Sequence, residues 1–344
     1  MVIRLPFSAD LDKHLDWKEL ALPKTVVCSG KGGVGKTTIT AALASGRARS
    51  GKRVLVISVD PAHSLGDSLE TDLSDGCIHP VPGFATLLAQ EPMIGPSSPN
   101  AGDLDAIQGT TGDQESLPKL LGDMFLPVSE EMSIIQGIAT TWRTLREKRL
   151  ILDEIYIDGS PSGHMLRTLQ FPFKMNEYLG KLAKIVDGFK RILVLDARKR
   201  DMLKKQALIA ESFKAFMNVL SNPALATAVL ITIPETMALA ETERTFNALG
   251  EFGISVTNLV INKMHDPGSS EAVQCPFCAE RVKNEAAIVQ RIERRFGSVD
   301  LAITRVPLLD HEIKGPNGLT EIEHFLLETP CQPAQDFTVK ASHY

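Results

Sequence analysis

A chain of 344 residues with 43% hydrophobic composition is long enough to bury a core as one large or two modest domains. Lysine and arginine number 37 against 42 acids, a formal net charge of −5, which argues against broad nucleic-acid binding through phosphate neutralisation. The start "MVIRLPFSAD" lacks the apolar core of a secretion signal and no run approaches the ~20 apolar residues of a membrane span. Five cysteines (Cys28, Cys77, Cys275, Cys278, Cys331) are too unevenly placed for a disulfide framework, so a cytoplasmic protein is expected.

Residues 1–23 read as an N-terminal extension. "KTVVCS" from Lys24 is a β-branched strand that enters the glycine loop "GKGGVGKT", and the alanine-rich stretch from Thr37 to Arg49 reads as a helix. "KRVLVISVD" to Asp60 is a second strand. Gly95 to Gly112 is rich in Gly, Pro, Ser and Asp and is expected to be a loop. Apolar residues then recur at three- and four-residue intervals at Met132, Ile135, Ile138, Trp142 and Leu145, a helical stripe. "EIYIDG" to Gly159 is a third strand, and Met202, Ile209, Phe213, Phe216 and Leu220 form a second stripe. "ATAVLITIP", "VTNLVIN" and "LAITRVP" add three strands. Continuous apolar runs alternating with helical patterns imply a doubly wound α/β fold, a mostly parallel sheet covered by helices on both faces. No internal repeat is visible, so any pairing of two nucleotide sites must use two chains.

Gly30 to Thr37 fits G-x-x-x-x-G-K-[ST], the phosphate-binding pattern. Gly30, Gly32, Gly33 and Gly35, with Val34 between them, let backbone N–H groups turn toward phosphates. Lys36 neutralises the outer phosphates, Thr37 supplies a hydroxyl for Mg²⁺, and Thr38 is expected beside them among the nucleotide-binding residues. A second lysine, Lys31, begins the cradle, from where its side chain can reach a nucleotide in a facing subunit. Asp60 and Asp158 each end a strand, and strand carboxyl ends converge on the ligand crevice of an open α/β sheet. Asp158 suits an outer-sphere Mg²⁺ ligand, and Asp60 is placed to position or deprotonate the attacking water.

The series "KGGVGKT", "DPAHSLGDSL", "DGSPSGHMLRTLQFP", "PETMALAETER", "INK" and "VPLLDHEIKG" resembles the ATPase family shared by the ArsA arsenite-pump ATPase and the tail-anchored-protein targeting ATPase of the GET pathway. The likeness runs from about Lys24 to His324. It implies an ATPase domain over residues 24–330, with a helical subdomain from about 90–145 and 172–222, and a tail at 331–344. By that resemblance Lys31 is the signature lysine that reaches the partner's nucleotide in a homodimer, and Asp60 the catalytic aspartate of the first switch. Asp158 stands at the second switch, Glu235 and Asn262 contact the nucleotide with Asn262 reading the base, and Pro307 and Leu308 open the loop under the adenine. The second switch departs from the family pattern D-T-A-P-T-G-H at Gly159, Ser160 and Ser162.

"CPFC" supplies two thiols, Cys275 and Cys278, where a structural zinc wants four ligands. His265 reads as a solvated residue in a turn. Two chains contributing one pair each at a twofold axis give a shared Zn²⁺, as the resembled targeting ATPase does; the rival reading is a redox pair. Two clients stay open. One is a hydrophobic tail-anchored helix held by the two apolar stripes and handed to a membrane receptor, with the protein peripheral to the membrane while engaged. The other is a trivalent metalloid passed to a pump protein. Soft trivalent arsenic seeks about three thiolates, and "SEEMSIIQGIATTW" and "QFPFKMNEYLGKLAK" contain none. The tail lacks the amphipathic anchor of a partition or septum-site ATPase, and an adjacent cysteine pair does not suit a bridging iron–sulfur cluster.

Overall fold

Strands buried on both faces need helices above and below, and the computed structural model supplies them. It describes residues 23–60, 64–92, 151–159, 218–266 and 275–327, with individual residues described between 134 and 150 and between 162 and 167. An eight-stranded sheet runs in the order β3-β4-β2-β5-β1-β6-β7-β8. Its strands are β1 (Lys24–Gly30), β2 (Val54–Ser58), β3 (His79–Pro80), β4 (Leu87–Gln90), β5 (Glu154–Asp158), β6 (Ala226–Thr232), β7 (Val256–Met264) and β8 (Ala302–Pro307). Every neighbouring pair is parallel except β3 with β4. The mostly parallel α/β sheet expected from the sequence is present, and the two strands that the apolar pattern missed are the short edge pair β3 and β4.

Alternate residues of each strand face opposite sides. Val26, Cys28, Val54, Val56, Tyr156, Val229, Ile231 and Val260 pack with α1 (Lys36–Arg49) and α5 (Gly315–Leu327). Val27, Leu55, Ile57, Ile155, Ile157, Leu230, Leu259 and Ile261 pack on the other face with α3 (Thr236–Glu251) and α4 (Pro276–Phe296). In α4 the buried apolar residues are Val289, Ile292 and Phe296, a three-then-four spacing that turns one stripe of the helix inward.

The second face also takes Ile138, Trp142 and Leu145 of the first apolar stripe and Leu220 of the second. Each is 4% exposed or less, so these four are core rather than lining of a surface groove. A helical apolar period is the same whether the partner is a sheet or a client, which is why the pattern could not separate the two. Met132, Ile135, Met202, Ile209, Phe213 and Phe216, the 95–112 stretch, the N-terminal extension and the tail lie outside the described residues. Among the described residues, no helix is long and apolar enough to cross a membrane.

Candidate functional site

Strand order reverses around β1, since β2 and β5 lie to one side and β6 to the other. The carboxyl edge at β1 is therefore the crevice where an open α/β sheet takes its ligand. Gly30 ends β1 so close to β6 that a Cβ there would lie 2.1 Å from the Ile231 carbonyl oxygen. Gly35 has φ 87°, and a Cβ there would meet Asn262 Nδ2 at 2.5 Å. Both positions exclude any side chain.

Two β7 side chains pin the loop between them. Asn262 Nδ2 donates to the Val34 carbonyl at 2.8 Å, and Lys263 Nζ donates to the Gly33 carbonyl at 2.9 Å. In a trans peptide the C=O and the following N–H point opposite ways, so the N–H groups of Val34 and Gly35 face away from β7. The loop then opens into α1, whose N-cap Gly35 gives no side-chain cap and whose first turn carries no acid. Orphan amides at a helix N-terminus favour an anion such as phosphate. Lys36 is buried at 6% exposure, with Nζ 3.8 Å from Asp60 Oδ2.

Register brings the second aspartate to the same place. Asp158 pairs with Ser58 across β5–β2 and with Cys28 across β5–β1. Its Oδ2 accepts from Thr37 Oγ1 at 2.8 Å and from Ser58 Oγ at 3.0 Å. Burial pushes the Asp158 carboxyl up to about 6, opposed by those two hydroxyl donors and by nearby Lys36. Its Oδ1 is buried with no hydrogen-bond partner. A buried, unsatisfied carboxylate oxygen beside a threonine hydroxyl and a phosphate-type loop is a donor set that fits a hard divalent cation. Ser58 links the two acids, since its hydroxyl also lies 3.4 Å from the Asp60 amide.

The other expected contacts lie along the same edge. A cavity of about 830 Å³ is lined by Gly33, Glu235, Lys263, Phe277, Arg281 and Glu285, among others, so Glu235, the N-cap of α3, shares a cleft with the phosphate loop. Pro307 ends β8, and the exposed Leu308 donates its amide to the Met264 carbonyl at 2.7 Å. Lys31 and Thr38 are half-buried, and Gly32 is exposed. Asn262 is 6% exposed and its amide nitrogen is engaged with the loop.

Cys275 is the N-cap of α4, its sulfur accepting the Cys278 amide at 3.4 Å, with Pro276 at the first helical position and Phe277 75% exposed between the cysteines. Among the described residues no group of three or more His, Cys, Asp or Glu could hold a metal within one chain, and the cysteine pair alone supplies two of the four ligands that a structural zinc takes. His265 is not the solvated residue its turn-like context suggested. Its Nδ1 lies 2.8 Å from Glu285 Oε1 and its amide donates to Glu285 Oε2, a partner twenty positions on that only the α4 packing reveals. Sequence reasoning also missed Ser58, Ser64, Glu91 and Lys263, each of which touches the loop or the switch through a contact set by the fold.

Residues 23–328 match a family model described as anion-transporting ATPase. Similar proteins include the ATPase get3 of Schizosaccharomyces japonicus, 29% identical over 331 residues that cover 94% of this chain and 97% of that protein. The ATPase get3 of Schizosaccharomyces pombe is 29% identical over 339 residues, 95% and 97% of the two chains. The ATPase ASNA1 homolog 1 of Paramecium tetraurelia is 29% identical over 326 residues, 90% and 94%.

Proposed function

The chain belongs to the anion-transporting ATPase family and is an ATPase, and on that premise we propose that it is a Mg²⁺-dependent homodimer that captures a tail-anchored hydrophobic helix and hands it to a membrane partner. The observation that carries the chemical part is the convergence of Lys36, Thr37, Asp60 and Asp158 on the phosphate loop. Thr37 and Asp158 would hold Mg²⁺, which when bound neutralises charge on the phosphates. The loop amides and Lys36 orient the nucleotide, and Asp60 takes or positions the proton of the attacking water. Glu235, Asn262, Pro307 and Leu308 frame the base side of the cleft. Lys31 serves the partner's nucleotide, so closing the dimer and filling both sites favour one another.

The helix-carrier reading is supported by likeness over more than nine-tenths of the chain to proteins named get3. The metalloid alternative needs about three soft ligands. Cys28 and Cys77 are buried, and burial pushes the Cys28 thiol up to about 12, which leaves it a poor ligand. That leaves Cys275 and Cys278 among the described cysteines, two thiols per chain that suit a Zn²⁺ shared between two copies.

Native mass analysis of protein co-expressed with a partner bearing a C-terminal membrane helix tests both points. Wild type is expected to carry about one zinc per two chains together with the helix. Replacing Cys275 and Cys278 by serine is expected to remove the metal and shift the protein toward monomer, and Phe216→Asp to lose the helix while keeping ATPase activity. Absence of the helix, with hydrolysis accelerated by arsenite or antimonite in a manner that depends on Cys275 and Cys278, sinks the carrier reading in favour of the efflux pump.

A further inference from the structure

The short helix α2 (Leu65–Leu69) follows the segment that carries Asp60. Ser64 precedes it and Asp67 lies three residues on, the sequence mark of a helix that caps itself. The side chains are arranged otherwise. Ser64 occupies the N-cap position but makes no side-chain cap. Its hydroxyl lies 3.0 Å from Thr37 Oγ1 instead. Thr37 uses its single hydroxyl hydrogen on Asp158, so Ser64 is the donor to Thr37.

The cap comes from Glu91. Its Oε1 accepts from the amides of Leu65 at 2.7 Å and Gly66 at 3.1 Å, the first two residues of α2. Glu91 is 6% exposed, and a buried carboxylate persists only where donors replace its water. Its neighbours hold it still. Gln90 is fully buried, donating Nε2 to the Gly76 carbonyl at 2.9 Å and accepting from Thr141 Oγ1 at 2.8 Å. Pro92 lies so close to Gly137 that a Cβ built there would sit 2.9 Å from the proline Cβ. The carboxylate is thus presented to α2 from a fixed frame at the exit of β4.

From this geometry we propose that Glu91 is a positioning residue for ATP hydrolysis: it caps α2 in place of Ser64 and thereby frees the Ser64 hydroxyl to hold Thr37. The inference rests on the reading of Thr37 and Asp158 as the cation side of the site. Without Glu91 the Leu65 and Gly66 amides are orphaned, and Ser64 is the adjacent residue able to cap them. A Ser64 turned back onto its own helix releases the Thr37 hydroxyl that Asp158 also holds. Nucleotide binding through Lys36 and the loop amides does not pass through this contact.

The test compares Glu91→Ala, Ser64→Ala and the double variant in steady-state ATP hydrolysis over a Mg²⁺ titration. Glu91→Ala is expected to lower kcat by on the order of 10- to 100-fold, and to raise the Mg²⁺ concentration for half-maximal rate. The KM for ATP should stay within roughly twofold. Glu91→Gln, whose carbonyl oxygen still accepts both amides, should recover most of the lost turnover. The double variant should be no slower than Ser64→Ala, because the two act in series. Should Glu91→Ala fail to fold, Glu91→Asp, one methylene too short to reach both amides, is expected to show an intermediate loss of kcat and carries the test. Wild-type kcat and Mg²⁺ dependence in the variant that folds, or fully multiplicative losses in the double, overturn the proposal. Thr37→Ala separates the two levels: wild-type activity there removes the cation-site reading itself, whereas an inactive Thr37→Ala beside a fully active Glu91→Ala overturns the role of Glu91 alone.

Discussion

Asp60→Asn is expected to bind nucleotide as tightly as the wild type while hydrolysing it about 10²-fold or more slowly, the loss typical when a general base is removed. The change keeps side-chain shape at the end of β2 and deletes one negative charge 3.8 Å from Lys36. That lysine would then face phosphate without competition from the Asp60 carboxylate, so affinity should hold or rise. Asp158 stays engaged with Thr37 and Ser58, and the cation side of the site is preserved. The Asp60 amide keeps its place near Ser58 Oγ, which limits movement of the backbone. Equilibrium nucleotide binding and single-turnover hydrolysis on the same preparation separate the two effects. Unchanged single-turnover rates would remove Asp60 from the chemistry; loss of binding together with rate would make it a structural partner of Lys36 instead.

Asp60 and Asp158 could be singled out in the sequence because each stands at the carboxyl end of an apolar run, VLVI and IYI, and a strand buried on both faces announces itself as such a run. β1, β2, β5 and β6 carry such runs, VVC, VLVI, IYI and AVLI, whereas β7 and β8 keep only LVI and AI among polar residues. β4 is short: Leu87–Gln90 is four residues ending in a polar side chain, and its partner β3 is two residues long. The network around Thr37 was hidden for another reason. Ser58 meets Asp158 because β2 and β5 are neighbours in register, and Glu91 meets α2 because β4 lies beside β2. Sheet order, not local pattern, sets both meetings. At Ser64 the local pattern actively misleads, since a serine followed at the third position by an acid promises a self-capped helix. The conflict between local preference and observed contact falls at the candidate nucleotide site, and functional sites are where such conflicts are expected to concentrate.

Lys31→Ala is expected to lower hydrolysis on the order of 10³-fold, the scale on which a cation supplied across an interface acts in phosphoryl transfer. Within its own loop the positive charge near the phosphates is provided by Lys36, which is buried at the start of α1, and by the loop amides. Lys31 is half-buried at the loop's beginning and, among the described residues, makes no ion pair. Its free ammonium fits service to a second chain. Mixing Lys31→Ala chains with Asp60→Asn chains decides which site each residue serves. If Lys31 acts across the dimer, the Lys31→Ala chain in a mixed pair keeps its own Asp60 and receives a lysine from the other chain, so one site of that pair is complete. Random pairing of equal amounts puts half the dimers in mixed form, and activity should return to about a quarter of the wild-type value in a symmetric dimer. If Lys31 serves its own site, every site in the mixture lacks either the lysine or the aspartate. Activity then stays at the level of the two inactive parents, and the cross-subunit role is rejected.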